Sequence, residues 1–231
     1  MCIREINTGY GEMTLSSLSI SDYSCISQLT DMLLEWTNDR KISLSLPSLR
    51  VDSFTKELMD KISTVRTGTL TFAPEAGTQR LRDVINKNVM EADLFRACRV
   101  AFEGGKSQVK LYFMQGLATE TDEALSGIAK LARDVIEEYY ATPSRPRKAP
   151  QVTISAACFI PKPFTAFQWE PQCAYEELLR KQQYLKEQIT DRKIRYNYHD
   201  ASVSRIEAVV AREYSLLGKA IMEAHRRGMR C

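Results

Sequence analysis

The feature of this 231-residue sequence that most constrains its fold is a regular alternation of strand-like and helix-like segments. Six short strand-like runs are each followed by a longer segment with helical periodicity. The predicted strands lie at 12–17, 42–46, 69–73, 109–114, 152–160 and 194–198, and helices at about 23–36, 55–65, 91–102, 122–140, 173–190 and 203–226. Such alternation implies right-handed crossovers and a parallel sheet, either barrel-like or doubly wound. The sequence therefore predicts an α/β protein.

The composition is that of an ordinary globular protein. Hydrophobic residues make up 44% and charged residues 26%, and the net charge of +3 is too small to argue for a nucleic-acid partner. No apolar run approaches the roughly 20 residues that a membrane span requires. The polar first residues contain no signal-peptide core, so a cytoplasmic location is the default expectation.

Several common cofactor motifs are missing from the sequence. No G-x-G-x-x-G follows a predicted first strand, which weakens a dinucleotide-binding sheet, and there is no phosphate-binding P-loop. The six cysteines include no C-x-x-C or C-x-x-x-C pair, the usual spacing of zinc-ribbon and ferredoxin sites. We therefore expect scattered reduced thiols, several of them buried, and no metal site.

The most informative charges lie between residues 69 and 88. A buried strand is predicted to end at Pro74, which has no N–H to donate, and Glu75 follows at its carboxyl end. Thr78 is suited to cap a helix, after which Lys87 can swing back towards Glu75. A carboxylate and an ammonium there could hold a ligand that bears hydroxyls and a carboxylate. The alternative is an acid at a strand end and a separate solvated lysine.

The other strand ends also carry polar residues, and ligands of parallel α/β sheets bind at these ends. These ends are Ser17-Leu18-Ser19, Pro47-Ser48, Gln115-Gly116 and Pro161-Lys162-Pro163. His199 and Asp200, after the last strand, are weak catalytic candidates, because an aspartate can orient a histidine for acid–base chemistry. A simple turn is the alternative for this pair.

Long stretches of the sequence resemble the radical S-adenosylmethionine (SAM) superfamily, in particular the family in which a cobalamin-binding domain is joined to the radical SAM barrel. The matching stretches are 8–23, 44–54, 70–88, 109–122 and 159–169, and residues 196–212 resemble the segment that follows the barrel. The resemblance implies a partial parallel (β/α) barrel of the TIM type over residues 1–170. A C-terminal helix–strand–helix extension would pack on it over residues 171–231.

The resemblance also implies a SAM site built from four parts of the chain. Its residues are Ser17, Leu18 and Ser19 at the amino end of SAM, Glu75 at the ribose, Lys87 at the carboxylate, and Met114, Gln115 and Gly116 along the adenine. In the superfamily, a [4Fe–4S] cluster held by a C-x-x-x-C-x-x-C motif cleaves SAM to a 5′-deoxyadenosyl radical. This sequence has no such motif.

The missing motif leads to three expectations. The chain is predicted to be the C-terminal portion of a radical SAM enzyme, inactive alone, with any cobalamin bound in a domain that is absent here. Without a preceding βα unit, strand 12–17 would be an exposed edge that favours self-association. Two alternatives stay open: a non-catalytic module that binds SAM, a nucleoside or RNA, and a cofactor-free TIM-type enzyme that uses Glu75 and Lys87 as acid and base.

Overall fold

The computed structural model describes residues 12–14, 23–38, 43–45, 70–212 and 217–229. The described strands are β1 (Glu12–Thr14), β2 (Ser43–Ser45), β3 (Leu70–Glu75), β4 (Gln108–Gln115), β5 (Gln151–Cys158) and β6 (Ile194–Tyr198). The described helices are α1 (Ile26–Asn38), α2 (Gln79–Val84), α3 (Glu91–Glu103), α4 (Asp122–Ala141), α5 (Tyr175–Gln188), α6 (Ala201–Arg212) and α7 (Leu217–Arg226). The predicted helix 55–65 and the candidate site residues Ser17, Leu18 and Ser19 lie outside the described ranges.

The described strands form two parallel sheets, as the alternation of elements predicts. One sheet has the order β3-β4-β5-β6, so each strand lies beside the next in sequence, and β1 pairs with β2 in the other. Because β6 pairs with β5, the strand of the predicted C-terminal extension continues the main sheet. The α/β class is confirmed, whereas a TIM-type barrel and a division at residue 170 stay predictions.

The main core lies on one face of the four-stranded sheet. Strand residues such as Leu111 pack there against Leu33 of α1, Leu94 of α3, Leu125 of α4 and Leu185 of α5. Side chains of successive strand residues point to opposite faces, and the alternate positions of β4 are exposed or half-buried. A doubly wound sheet is covered by helices on both faces. Among the described residues, the core helices pack on one face of this sheet, unlike the helices of a doubly wound sheet.

Two local predictions need correction. Pro74 does not end β3, because the strand continues to Glu75 through an irregularity of the β3–β4 ladder between Phe72 and Glu75. A bulge leaves one residue unpaired, so the missing N–H of proline costs no ladder hydrogen bond there. The single helix predicted at 203–226 is described as two helices, α6 and α7, and residues 213–216 lie outside the described ranges. None of the described helices is long and apolar enough to cross a membrane.

A close backbone contact fixes α4 against the turn that follows β3. A Cβ atom built on Gly77 would lie 2.1 Å from the carbonyl oxygen of Ala124 and 2.4 Å from the nitrogen of Ile128. A Cβ built on Gly127 would lie 2.5 Å from the carbonyl oxygen of Gly77. The two backbones can approach this closely because Gly77 and Gly127 have no side chains. The contact holds the turn that carries Glu75 in a defined position.

A candidate ligand site at the carboxyl ends of the strands

Glu75 and Lys87 converge at the carboxyl end of β3, as the sequence predicts. The Oγ1 of Thr78 accepts from the backbone N–H of Leu81 at 3.4 Å and caps α2. The helix ends within two turns, and the N–H of Lys87 returns to the carbonyl of Arg82 at 2.8 Å. The Nζ of Lys87 then donates to Oε1 of Glu75 at 3.3 Å. The Lys87 side chain is 34% exposed and the Glu75 side chain 25%, so the pair stays accessible to a ligand.

The electrostatics of Glu75 reflect its partly covered position. Burial raises the pKa of its carboxyl above the ordinary value, and the neighbouring Lys87 ammonium opposes that rise. Glu75 also has a positive φ of 68°, which is uncommon for a non-glycine residue and which follows the irregularity in β3. An accessible carboxylate accepts hydrogen bonds from hydroxyls, and the ammonium keeps further N–H donors for an anion.

The end of β4 lies beside the end of β3, because Glu75 is in register with Phe113. Met114 is half-buried, whereas Gln115 is completely buried. The Oε1 of Gln115 accepts from the hydroxyl of Tyr196 at 3.0 Å, while its Nε2 has no hydrogen-bond partner. The resemblance implies that this segment lies along the adenine; the Gln115 side chain itself contacts Tyr196, which packs on the core.

Gly116 is required by the turn that follows β4. Its φ is +81°, and a Cβ there would lie 2.9 Å from Cδ2 of Leu178 and 3.0 Å from Cβ of Cys173. The backbone of this turn therefore lies directly against α5. A ligand at this edge could meet the Met114 side chain and the backbone around Gly116.

A buried ion pair below this turn was not predicted. Oε2 of Glu120 accepts from the backbone N–H of Gly116 at 2.8 Å and from Nζ of Lys181 at 2.8 Å. The Glu120 and Lys181 side chains are 1% and 8% exposed. Burial raises the pKa of Glu120, and the hydrogen bond from Lys181 opposes the rise. The pair ties the turn to α5.

His199 and Asp200 have local structural contacts. The N–H of His199 donates to the carbonyl of Ala156 at 3.1 Å, and its carbonyl accepts from Nε2 of Gln182 at 2.8 Å. Oδ1 of Asp200 accepts from the N–H groups of Ser202 and Val203 at the start of α6. The hydroxyl of Ser202 also donates to Oδ1, and this bond, followed by the two backbone bonds, holds the pKa of Asp200 below its ordinary value. The contacts fit the turn interpretation, and no described contact favours an acid–base pair.

The described cysteines do not form a metal centre. Cys25, Cys98, Cys158 and Cys173 are free thiols, and burial raises the pKa of the last three. A raised pKa disfavours the thiolate that ligates metals. Within the described ranges, no group of three or more His, Cys, Asp or Glu side chains could hold a metal ion.

The chain has a radical SAM-like α/β fold. Its structure is similar to that of an N-terminally truncated archaeal Elp3 from Methanocaldococcus infernus, which belongs to the radical SAM superfamily, with a TM-score of 0.54. That similarity extends over 100% of this chain and 57% of the Elp3 chain. Sequence identity is 11%, so the likeness shows the fold alone.

A sequence relative also exists in another archaeon. The chain is 33% identical over 208 residues to the uncharacterized protein MJ0966 of Methanocaldococcus jannaschii. The match covers 90% of this chain and 43% of that protein, so the chain spans less than half the length of this relative. No family model matches the sequence.

Proposed function

We propose that this chain is the SAM-binding part of a radical SAM-type enzyme. The observation that carries the proposal is the accessible Glu75–Lys87 pair at the tip of β3, beside the tip of β4, in a radical SAM-like fold. Ligands of parallel α/β folds bind at this end of the sheet.

The chemistry of the pair fits the polar groups of SAM. The Glu75 carboxylate can accept hydrogen bonds from the two ribose hydroxyls. The Lys87 ammonium can bind the carboxylate at the methionine end. The half-buried Met114 and the backbone at Gly116 lie on the next strand tip, where the adenine is proposed to lie. In the superfamily, reductive cleavage of SAM at an iron–sulfur cluster supplies the radical that abstracts hydrogen from the substrate.

The residues present do not fit a [4Fe–4S] cluster. The sequence has no C-x-x-x-C-x-x-C motif, and the described residues contain no group that could hold a metal. We therefore assign this chain the binding and orientation of SAM and no redox step, and we place the cluster ligands outside it. By itself, the chain is expected not to cleave SAM. If the whole enzyme uses cobalamin, we propose that cobalamin, like the cluster, is bound by residues outside this chain.

The missing motif also favours a second candidate, a non-catalytic module that binds SAM or a nucleoside. The two candidates differ in affinity. In the enzyme, iron anchors the amino acid end of SAM, so this chain alone should bind weakly, with a Kd of about 0.1–1 mM. A binding module must supply all of the affinity itself, which predicts a Kd of about 10 μM or below.

Isothermal titration calorimetry of the full chain with SAM tests the proposal. Glu75→Gln and Lys87→Met should each weaken binding by about tenfold, since each removes a charge-assisted hydrogen bond. Lys130→Met is the matched control, because Lys130 forms a comparable ion pair with Asp134 on the exposed side of α4. Undetectable binding to the wild type, or equal losses in all three variants, would refute the proposed site.

A further inference from the structure

Three neighbouring strands present a polar patch on the face of the main sheet opposite the core. We name it the donor patch, and its six residues are Lys110 and Tyr112 of β4, Thr153 and Ser155 of β5, and Arg195 and Asn197 of β6. Strand register sets them in two rows. Lys110 pairs with Thr153 and Thr153 with Arg195, while Tyr112 pairs with Ser155 and Ser155 with Asn197.

Each member of the donor patch can donate a hydrogen bond, two are cationic, and none is a carboxylate. In a parallel sheet covered on both faces, these positions would hold apolar residues. The residues that alternate with them along the strands, such as Leu111 and Ile154, are completely buried. The polar character is thus confined to one face. Apart from Ser155, the patch residues are exposed or half-buried.

The Lys110 ammonium is held in a defined position. Its Nζ donates to the hydroxyl of Tyr112 at 3.1 Å and lies 4.6 Å from the centre of the Tyr112 ring. Tyr112 is two residues nearer the carboxyl end, so the lysine side chain leans towards the end that carries Glu75 and Met114. An ammonium stacked on an aromatic ring keeps its remaining N–H groups available to a ligand.

Neither cation of the donor patch is neutralised within the described part of the chain. Some of the other described cations, such as Arg99 and Lys181, lie within 2.6 and 2.8 Å of a carboxylate. Among the described residues, Lys110 has only Tyr112 as a partner, and Arg195 forms no ion pair. Adjacent strands lie about 4.8 Å apart, so the Cα atoms of Lys110 and Arg195 are about 10 Å apart, with Thr153 between them. Both long side chains can reach one anionic group from that separation.

On the basis of the function proposed above, we propose that the donor patch binds an anionic group, a phosphate or a carboxylate, of the enzyme's substrate. Guanidinium and ammonium groups bind such anions through charge-assisted hydrogen bonds, and the neighbouring hydroxyl and amide groups donate to their remaining oxygens.

The test is calorimetric titration of the full chain with pyrophosphate and, separately, with citrate at low ionic strength. The double variant Lys110→Gln/Arg195→Gln should bind at least about tenfold more weakly, because two charge-assisted contacts are lost. Its control is Arg147→Gln/Lys148→Gln, which removes the same charge from exposed positions between α4 and β5. The control should bind like the wild type. A preference for pyrophosphate would identify phosphate as the group, and a preference for citrate would identify carboxylate.

Absence of binding to the wild type, or equal affinity in both double variants, would overturn the anion site. The single variant Arg195→Gln, at an exposed position, gives the same comparison with less risk to folding, and its loss should be smaller than that of the double variant. SAM affinity is measured on the same samples and should be unchanged by Lys110→Gln/Arg195→Gln. The two proposals can therefore fail separately: loss of SAM binding would refute the SAM site, and loss of anion binding would refute the donor patch.

Discussion

Lys181 and Glu120 form a buried ion pair, with 2.8 Å between Nζ and Oε2, that joins α5 to the turn after β4. The turn is the one that the proposed ligand site uses, because Oε2 of Glu120 also accepts from the N–H of Gly116. A structural interaction hidden in the core thus positions the backbone at the ligand edge.

Removing one member of this pair should be costly. Lys181→Met is expected to lower the free energy of unfolding by about 3 kcal/mol, because the Glu120 carboxylate would stay buried without its partner. The double variant Lys181→Met/Glu120→Gln should recover much of this loss, since the glutamine oxygen can still accept from Gly116. Urea unfolding measures both. A double variant less stable than Lys181→Met would contradict this explanation.

The raised pKa of Glu75 predicts a pH dependence of stability. In the folded chain the Glu75 carboxyl keeps its proton at pH values above 4.5, the ordinary pKa of a glutamate. At pH values between the unfolded and the folded pKa, the folded state therefore binds more protons than the unfolded state. The contribution of Glu75 to the free energy of unfolding must therefore fall as pH rises. Measured by urea unfolding at about pH 4 to 7, the wild type should lose stability relative to Glu75→Gln. Lys87→Met should enlarge that loss, because Lys87 opposes the rise in the Glu75 pKa. A gain in the stability of the wild type relative to Glu75→Gln as pH rises would contradict this prediction.

The contact between Gly77 and the start of α4 predicts a strong steric effect. Gly77→Ala places a methyl group 2.1 Å from the carbonyl oxygen of Ala124, so the backbone must shift. We expect a loss of about 3 kcal/mol or more in unfolding free energy, at the upper end for overpacking. Gly218→Ala is the control, because a Cβ at Gly218 meets nothing within 4 Å. Equal stability of the two alanine variants in thermal unfolding would refute the contact.

The buried Gln115 side chain predicts an energetic coupling to Tyr196. Tyr196→Phe removes the donor to Oε1 and leaves the whole amide of Gln115 without a partner, at a cost of about 1–3 kcal/mol. In a Gln115→Leu background the same change should cost less, since no buried acceptor is then left unpaired. A double-mutant cycle gives the coupling energy. Additive losses would show that the hydrogen bond contributes nothing.

Much of the fold could be predicted because periodicity and capping act locally. The strand Ile194–Tyr198 matches its predicted bounds, and Thr78 caps α2 as expected from its side chain. The prediction for Pro74 was wrong because a proline is compatible with a strand where the ladder is irregular, and that irregularity depends on pairing with β4. Periodicity alone could not show that the helices of the core cover one face of the sheet.

The candidate site was predicted in part for a similar reason. Glu75 and Lys87 are 12 residues apart, so a turn and a short helix suffice to bring them together. Glu120 and Lys181 are 61 residues apart, and no local pattern joins them. One signal was available: Lys181 lies on α5 three residues after Leu178, on the stripe that faces the core. A lysine on such a stripe implies a buried partner.

The most direct test of the SAM site compares two ligands on the same variants by NMR titration of the full chain. Lys87→Met should weaken SAM by about tenfold and leave adenosine unchanged, because adenosine has no carboxylate. Glu75→Gln should weaken both, because both carry the ribose hydroxyls. If Lys87→Met weakened SAM and adenosine equally, or if neither variant changed either affinity, the assignment of these two residues to SAM would be wrong.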